Sequence, residues 1–192
     1  EKICNYIDIP LQHADKNVLK SMNRVGDAEE YKALIEKMRK AIPDLALRTT
    51  FMVGFPGETE EQFTNLSDFV KEVKFDKMGC FAFSPEEETP AYDMDNQIDD
   101  DVKKRRQEIL MNTQFYITEA SNKNRVGNVY KVIVDNIDDG KYVGRSYMDS
   151  PEIDSGIIFT SDKKINIGEF VFVKITDYDG YDLIGEYYEF TK

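Results

Sequence analysis

The run from Leu45 to Gln62, LALRTTFMVGFPGETEEQ, restricts the fold more than any other part of the chain. Leu45, Leu47, Thr49, Phe51 and Val53 fall on alternate positions, the period of a strand buried on one face. Gly54-Phe55-Pro56-Gly57-Glu58 follows, with two glycines free to take positive φ. Thr59 and Gln62 have the spacing of a capping box, which opens a helix at Thr59. Strand, glycine turn and helix make a βα unit. In barrels and open α/β sheets ligands bind at the carboxyl ends of the strands, and glycines there let a ligand approach the backbone. A G-x-x-G spacing also occurs in plain βα turns whose glycines serve geometry alone.

The same unit recurs on either side. Ile3 to Leu11 reads as a buried strand ending in Pro10-Leu11-Gln12-His13, with a short helix from about Asp15 that carries Val18, Leu19 and Met22 on one face. Asn23 to Gly26 breaks that helix, and Asp27 caps the next, in which Tyr31, Leu34, Ile35, Met38 and Ile42 keep a helical period until Pro43. The helix from Thr59 to Val73 turns Phe63, Leu66, Phe69, Val70 and Val73 inward. A third strand spans Lys77 to Phe83, before an acidic loop from Glu86 to Asp95. Three strand–loop–helix repeats predict a parallel sheet or part of a barrel. Three strands cannot close a barrel, so the other half is expected upstream.

A long helix, Asp99 to Asn124, is expected next, with Val102, Ile109, Leu110, Thr113, Ile117 and Ala120 inward. Its basic run Lys103-Lys104-Arg105-Arg106 reads as a solvated face or a binding patch. Beyond Gly127 the hydrophobic period falls to two. Five short strands are expected, at Val129–Val134, Tyr142–Gly144, Ile157–Thr160, Glu169–Thr176 and Leu183–Phe190, with a hairpin signal at Asp139-Gly140. Five strands in so short a span predict a small closed barrel of oligonucleotide-binding type. The fold class is thus α/β followed by all-β, with a partial (β/α) barrel and its connecting helix in 1–124 and the small barrel in 125–192.

Composition limits the functions. The net charge is −12, which argues against a non-specific grip on nucleic acid and favours a basic protein partner. Residues 125–192 alone carry 8 Lys and Arg against 13 Asp and Glu, a net of −5. No apolar run approaches a membrane span. The two cysteines, Cys4 and Cys80, lie in apolar surroundings and are expected to be buried and reduced, which suits the cytoplasm. With His13 the only histidine, no metal site is evident. The chain opens Glu1-Lys2-Ile3 without an initiator Met and reads as a fragment of a longer protein.

Three motifs in order resemble one family. Asp8-Ile9-Pro10-Leu11-Gln12-His13, followed by Val18-Leu19-x-x-Met22-x-Arg24, resembles the fourth strand and helix of the radical S-adenosylmethionine methylthiotransferases. Leu47 to Glu60 resembles their fifth strand, and Phe83-Ser84-Pro85-Glu86-Glu87-Glu88-Thr89-Pro90-Ala91 the loop after their sixth. The terminal barrel resembles their TRAM domain, the substrate-recognition module. His13 after Gln12, and Gly144-Arg145-Ser146-Tyr147-Met148-Asp149-Ser150-Pro151-Glu152-Ile153-Asp154, point to the branch that adds a methylthio group to the β-carbon of an aspartate in small-subunit ribosomal protein S twelve.

The resemblance implies S-adenosylmethionine and two [4Fe–4S] clusters in the full-length enzyme. The cluster ligands are thiolates, and the expected C-x-x-x-C-x-x-C is absent, so they lie outside this chain and the piece is expected to be inactive alone. Gly54, Phe55, Pro56, Gly57 and Glu58 are expected beside the adenine, and Gln12 at the ribose or methionine part. Arg48, inside a predicted strand, needs a carboxylate, either the cofactor's or that of a neighbouring Asp or Glu. Arg24 is a second candidate for the cofactor carboxylate, or a surface arginine ending its helix. His13 stands near the reaction centre or is structural. Asp149, Glu152 and Asp154 are expected to dock the basic ribosomal protein, with Arg145 bracing their loop. The sequence names no electron donor. Two alternatives stand beside this reading: a tRNA methylthiotransferase of the same family, which calls for a basic barrel, and a non-enzymatic acidic adaptor, which needs no cofactor pocket.

Overall fold

The structure, a computed structural model, describes residues 3–190. They form two compact units, Ile7–Ile117 and a second comprising Thr118 onward with the first residues of the chain.

In the first unit, β1 (Tyr6–Gln12, its first residue assigned to the other unit), β2 (Ala46–Val53) and β3 (Lys77–Ala82) lie in that order in one sheet. β2 and β3 pair in parallel, with Phe51 opposite Cys80, as the alternation predicts. Three helices connect the strands: α1 (Lys16–Ser21), α2 (Ala28–Ala41) and α3 (Glu60–Val73). Their starts are written locally. Asp15 caps α1 by accepting from Asn17 and Val18, and Asp27 caps α2 by accepting from Glu29 and Glu30. Thr59 and Gln62 form the full capping box of α3. All five of the expected inward residues of α3 are buried. Phe51 of β2 meets Phe69 and Phe75 edge-on, at ring separations of 6.2 and 5.7 Å, the geometry that aromatic quadrupoles favour. Leu11, Leu47, Val53 and Leu110 complete this core.

Four expectations are corrected. β1 begins at Tyr6, leaving Ile3 83% exposed and Cys4 at the surface. Apolar neighbours in sequence did not bury that thiol, because the strand that would carry it inward starts later. In α2, Leu34 is exposed and only Ile35 is fully buried. The largest change concerns α4 (Asp100–Arg125). Its buried residues are Lys103, Arg106, Leu110, Gln114, Thr118 and Asn122, spaced by three and then four, whereas Ile109 is 41% exposed. The buried stripe is almost wholly polar because, within the first unit, it faces backbone rather than apolar side chains. Gln107 Nε2 donates to the Cys80 carbonyl at 2.7 Å and Gln114 Nε2 to the Phe75 carbonyl at 2.9 Å. Both bonds serve the β3 side of the sheet, beside which no further strand lies among the described residues. The basic run is split by the same geometry: Lys103 and Arg106 are buried, Lys104 and Arg105 exposed.

In the second unit, β4 (Val129–Asp138), β5 (Lys141–Arg145), β6 (Ile157–Thr160), β7 (Phe170–Asp179) and β8 (Asp182–Tyr188) close a barrel in the order β4-β5-β6-β8-β7. β6 and β8 are parallel and every other pair antiparallel. Val132, Val134, Ile157, Phe159, Val173 and Ile175 fill it. Two glycines turn its corners. A side chain at Gly144 would lie 2.3 Å from the Ile133 carbonyl and one at Gly185 2.6 Å from the Lys174 carbonyl, each beside a bulge in the opposite strand. No helix among the described residues is long and apolar enough to cross a membrane.

Candidate functional site

The carboxyl ends of β1 and β2 each carry left-handed backbone. Gln12, the last residue of β1, has φ +69°, a left-handed conformation that costs a non-glycine residue about 1–3 kcal/mol and persists where the surroundings impose it. Gly54, just past β2, has φ +75° and Gly57 φ +82°. The two glycines serve different ends. A side chain at Gly54 would strike the stem of the buried Lys103, whereas one at Gly57 meets nothing within 4 Å. The open approach expected of the loop therefore exists at Gly57 and is filled by α4 at Gly54.

The loop is braced from below by Glu58. Its side chain is fully buried, and Oε2 accepts from the Gly54 amide and, at 3.2 Å, from the Phe55 amide. The Gly57 amide donates to the Asn96 carbonyl and the Glu58 amide to the Phe55 carbonyl. Each amide of this turn has an acceptor within the chain, and the Glu58 side chain is buried against it. Arg106 meets Glu58 from α4. Nη1 donates to the Glu58 carbonyl at 3.1 Å and stands 3.5 Å from Oε1, while Nη2 reaches Glu60 at 3.1 Å. The guanidinium lies 5.5 Å from the Phe63 ring. Cys80 belongs to the same surroundings: burial, and secondarily the Glu58 charge, push its thiol up to about 12.

His13 is completely buried. Nδ1 accepts from the Asp15 amide at 2.9 Å, so it carries a lone pair and the proton of a neutral ring sits on Nε2. Nε2 stands 3.9 Å from Glu58 Oε1. Asp15 also accepts from Gln62 Nε2 at 2.9 Å, tying the capping box of α3 to the start of α1.

The remaining sequence candidates of this unit separate. Gln12 is half-buried, and its side-chain amide makes no hydrogen bond among the described residues. Arg24 is exposed and donates to the Pro10 carbonyl of β1 at 3.1 Å. Arg48 finds its carboxylate in Asp8, with Nε to Oδ2 at 3.5 Å. Of the two partners left open for it, the neighbouring aspartate is present. Phe55 is buried against Phe83, ring to ring at 5.1 Å, with Val18, Met22, Met52 and Met94 around them. Pro56 is buried with it. These groups fit an adenosyl ligand in part: an uncommitted amide at Gln12, an open backbone face at Gly57 and a polarisable apolar flank. Among the described residues no cluster of His, Cys, Asp and Glu has a metal-binding arrangement.

The acidic loop of the barrel is more internally bound than its sequence suggests. Asp149 Oδ2 accepts from the Ser146 amide and hydroxyl at 3.0 and 2.8 Å, and Asp154 Oδ2 from the Ser150 amide at 2.9 Å. Glu152 is exposed, at φ +63°. Arg145 forms a two-point pair with Asp135 at 2.6 and 2.9 Å. That pair, with Asp149 and Glu152 adding negative potential, pushes its guanidinium up from the usual value. Sequence reasoning missed an aromatic strip on the outside of the barrel. Phe170 and Phe172 of β7 are 60% and 40% exposed and Phe190 59%, with Lys131 Nζ 4.6 Å from the Phe170 ring. The signal was present in Phe170-Val171-Phe172-Val173, a strand apolar on both faces.

Comparison with known proteins adds to this geometry. Residues 1–70 match the radical SAM superfamily and residues 126–187 the TRAM domain. The ribosomal protein uS12 methylthiotransferase RimO of Clostridium novyi is 49% identical over 96% of this chain and 42% of its own length. The protein of the same name from Thermoanaerobacter is 50% identical over 97% of this chain and 43% of its own. That of Flavobacterium psychrophilum is 45% identical over 96% and 43%. The chain therefore spans less than half the length of these relatives. Among solved structures, the Escherichia coli coproporphyrinogen III oxidase HemN, a radical SAM enzyme, aligns over 90% of this chain and 41% of its own, with TM-score 0.49 and 16% identity.

Proposed function

Because this chain belongs to the radical S-adenosylmethionine methylthiotransferase family, we propose that it is part of an enzyme that adds a methylthio group to the β-carbon of an aspartate in ribosomal protein uS12, in the cytoplasm. One observation carries the reading: identity of 45–50% runs through both units to relatives that bear that name. The acidic barrel supports it, since a net charge of −5 repels nucleic acid phosphates and attracts a basic ribosomal protein. A tRNA substrate is disfavoured on the same ground, and an adaptor has no use for the turn at Gly54–Glu58.

In this reading S-adenosylmethionine, bound with an iron–sulfur cluster whose ligands lie outside this chain, supplies radical chemistry. The part played by this chain is binding and exclusion of water. Gln12 offers a donor and an acceptor to the ligand's polar part. Gly57 gives close backbone approach, and Phe55, Met52 and Phe83 supply the apolar wall. Glu58, with Arg106 behind it, holds the loop in shape without touching the ligand. Arg48 and Arg24 act through Asp8 and the Pro10 carbonyl, stabilising β1. On the barrel, Glu152 is the freest of the proposed docking charges, while Asp149, Asp154 and Arg145 shape its loop.

The test is mass spectrometry on a strain lacking the full gene, comparing uS12 with digested tRNA nucleosides. Loss of a methylthio group from uS12 with unchanged tRNA is expected. Loss from tRNA instead refutes the substrate assignment, and no change in either refutes the enzymatic reading.

A further inference from the structure

His13 Nε2 and Glu58 Oε1 are buried polar atoms without a hydrogen-bond partner, and they are 3.9 Å apart. Their chemistry is complementary. The Asp15 amide occupies Nδ1 and so places the ring proton on Nε2, facing a carboxylate oxygen. Both side chains are fully screened from solvent, so bulk water does not compete for either atom. Approach by about 1 Å makes a hydrogen bond between them. Each group is already fixed on its far side. His13 directly follows the left-handed Gln12, and the other Glu58 oxygen holds the Gly54 and Phe55 amides. Arg106 Nη1, 3.5 Å from Glu58 Oε1, holds the carboxylate in place from the α4 side.

We propose that His13 is a positioning residue whose Nε2–H, through Glu58 Oε1, couples the turn bearing Gln12 to the Gly54–Glu58 loop, so that the ends of β1 and β2 hold one ligand as a single unit. The ring itself touches no ligand. The coupling stands on geometry alone. Only the choice of S-adenosylmethionine as probe rests on the function proposed above.

Two amide substitutions separate the ring's nitrogens. His13→Gln places an N–H donor where Nε2 was and gives up the acceptor for Asp15. His13→Asn keeps an acceptor near Nδ1 and gives up the donor to Glu58. In the full-length protein without ligand, hydrogen–deuterium exchange of the peptide covering residues 51–60 is followed by mass spectrometry. Exchange about tenfold faster than wild type is expected in His13→Asn, with His13→Gln within about twofold of wild type, because one hydrogen bond is at stake. Calorimetry with S-adenosylmethionine on the reconstituted enzyme is expected to follow the same order. The reverse order, or equal behaviour of the two variants, overturns the coupling and leaves His13 as a cap for Asp15 or a packed ring. If the exchange pattern holds while wild-type protein binds no S-adenosylmethionine, the coupling stands and the proposed function falls.

Discussion

Replacing Arg106 by Met tests whether α4 acts as the buttress of the glycine loop. The change keeps the stem and removes the guanidinium. The bond to Glu60 counts for little, since that carboxylate is 62% exposed and such pairs contribute about 0–1 kcal/mol. The dominant loss is at Glu58, whose side chain is fully buried. Removing the cation beside a buried carboxylate costs about 3–5 kcal/mol, mostly through the charge left without compensation. Glu58→Gln alone should cost less, about 1–3 kcal/mol, because one amide oxygen still accepts from Gly54 and Phe55. The double variant removes both charges, so its loss should fall short of the sum by about 1–3 kcal/mol. Urea unfolding followed by far-ultraviolet circular dichroism measures this. The signal is dominated by helices and so follows the unit that holds α1 to α3. Additive losses, or an Arg106→Met cost below about 1 kcal/mol, refute the argument that a buried ion pair braces the loop.

Two further outcomes follow. Cys80, with its thiol pushed up to about 12, should resist iodoacetamide in native protein at about pH 8, while exposed Cys4 reacts; peptide mass spectrometry should find label on Cys4 and none on Cys80. The linkage has a definite sign: the unfolded thiol ionises first, so this contribution to stability is complete below the ordinary thiol value of 9.0 and is lost as pH rises towards 12. On the barrel, Glu152→Lys should slow association with uS12 with no change in melting temperature, whereas Asp149→Ala should loosen the loop, because its carboxylate holds Ser146. Surface plasmon resonance beside thermal melts distinguishes them, and identical behaviour of the two variants contradicts the division of roles drawn here.

Much of the architecture was legible along the chain, because the forces that set it act over a few residues. The capping box at Thr59 and Gln62 is an i to i+3 relation, and the five inward positions of α3 follow from helical spacing. The change of period at Gly127 announced a barrel, since alternation with short turns leaves a strand few other ways to bury one face. At the site, Gln12 and the glycine loop were placed correctly at strand ends, for turn chemistry is local.

The roles of particular side chains were decided only by tertiary structure. Helical period cannot tell that the buried stripe of α4 is polar, because its acceptors come from distant segments: the Cys80 carbonyl lies 27 residues from Gln107, that of Phe75 39 from Gln114 and that of Glu58 48 from Arg106. A run of four basic residues reads as solvated until a buried carboxylate is found opposite its fourth member. Glu58 was expected beside the adenine with the rest of its turn, which said nothing of where its carboxylate goes. It faces the core because the Gly54 and Phe55 amides, left over where β2 ends, take its carboxylate first. The sequence by itself determined where strands end and helices begin. The fold, by bringing backbone carbonyls to α4 and backbone amides to Glu58, decided which polar side chains hold the structure and which are left for a ligand, because buried hydrogen-bonding groups must find partners wherever the fold places them.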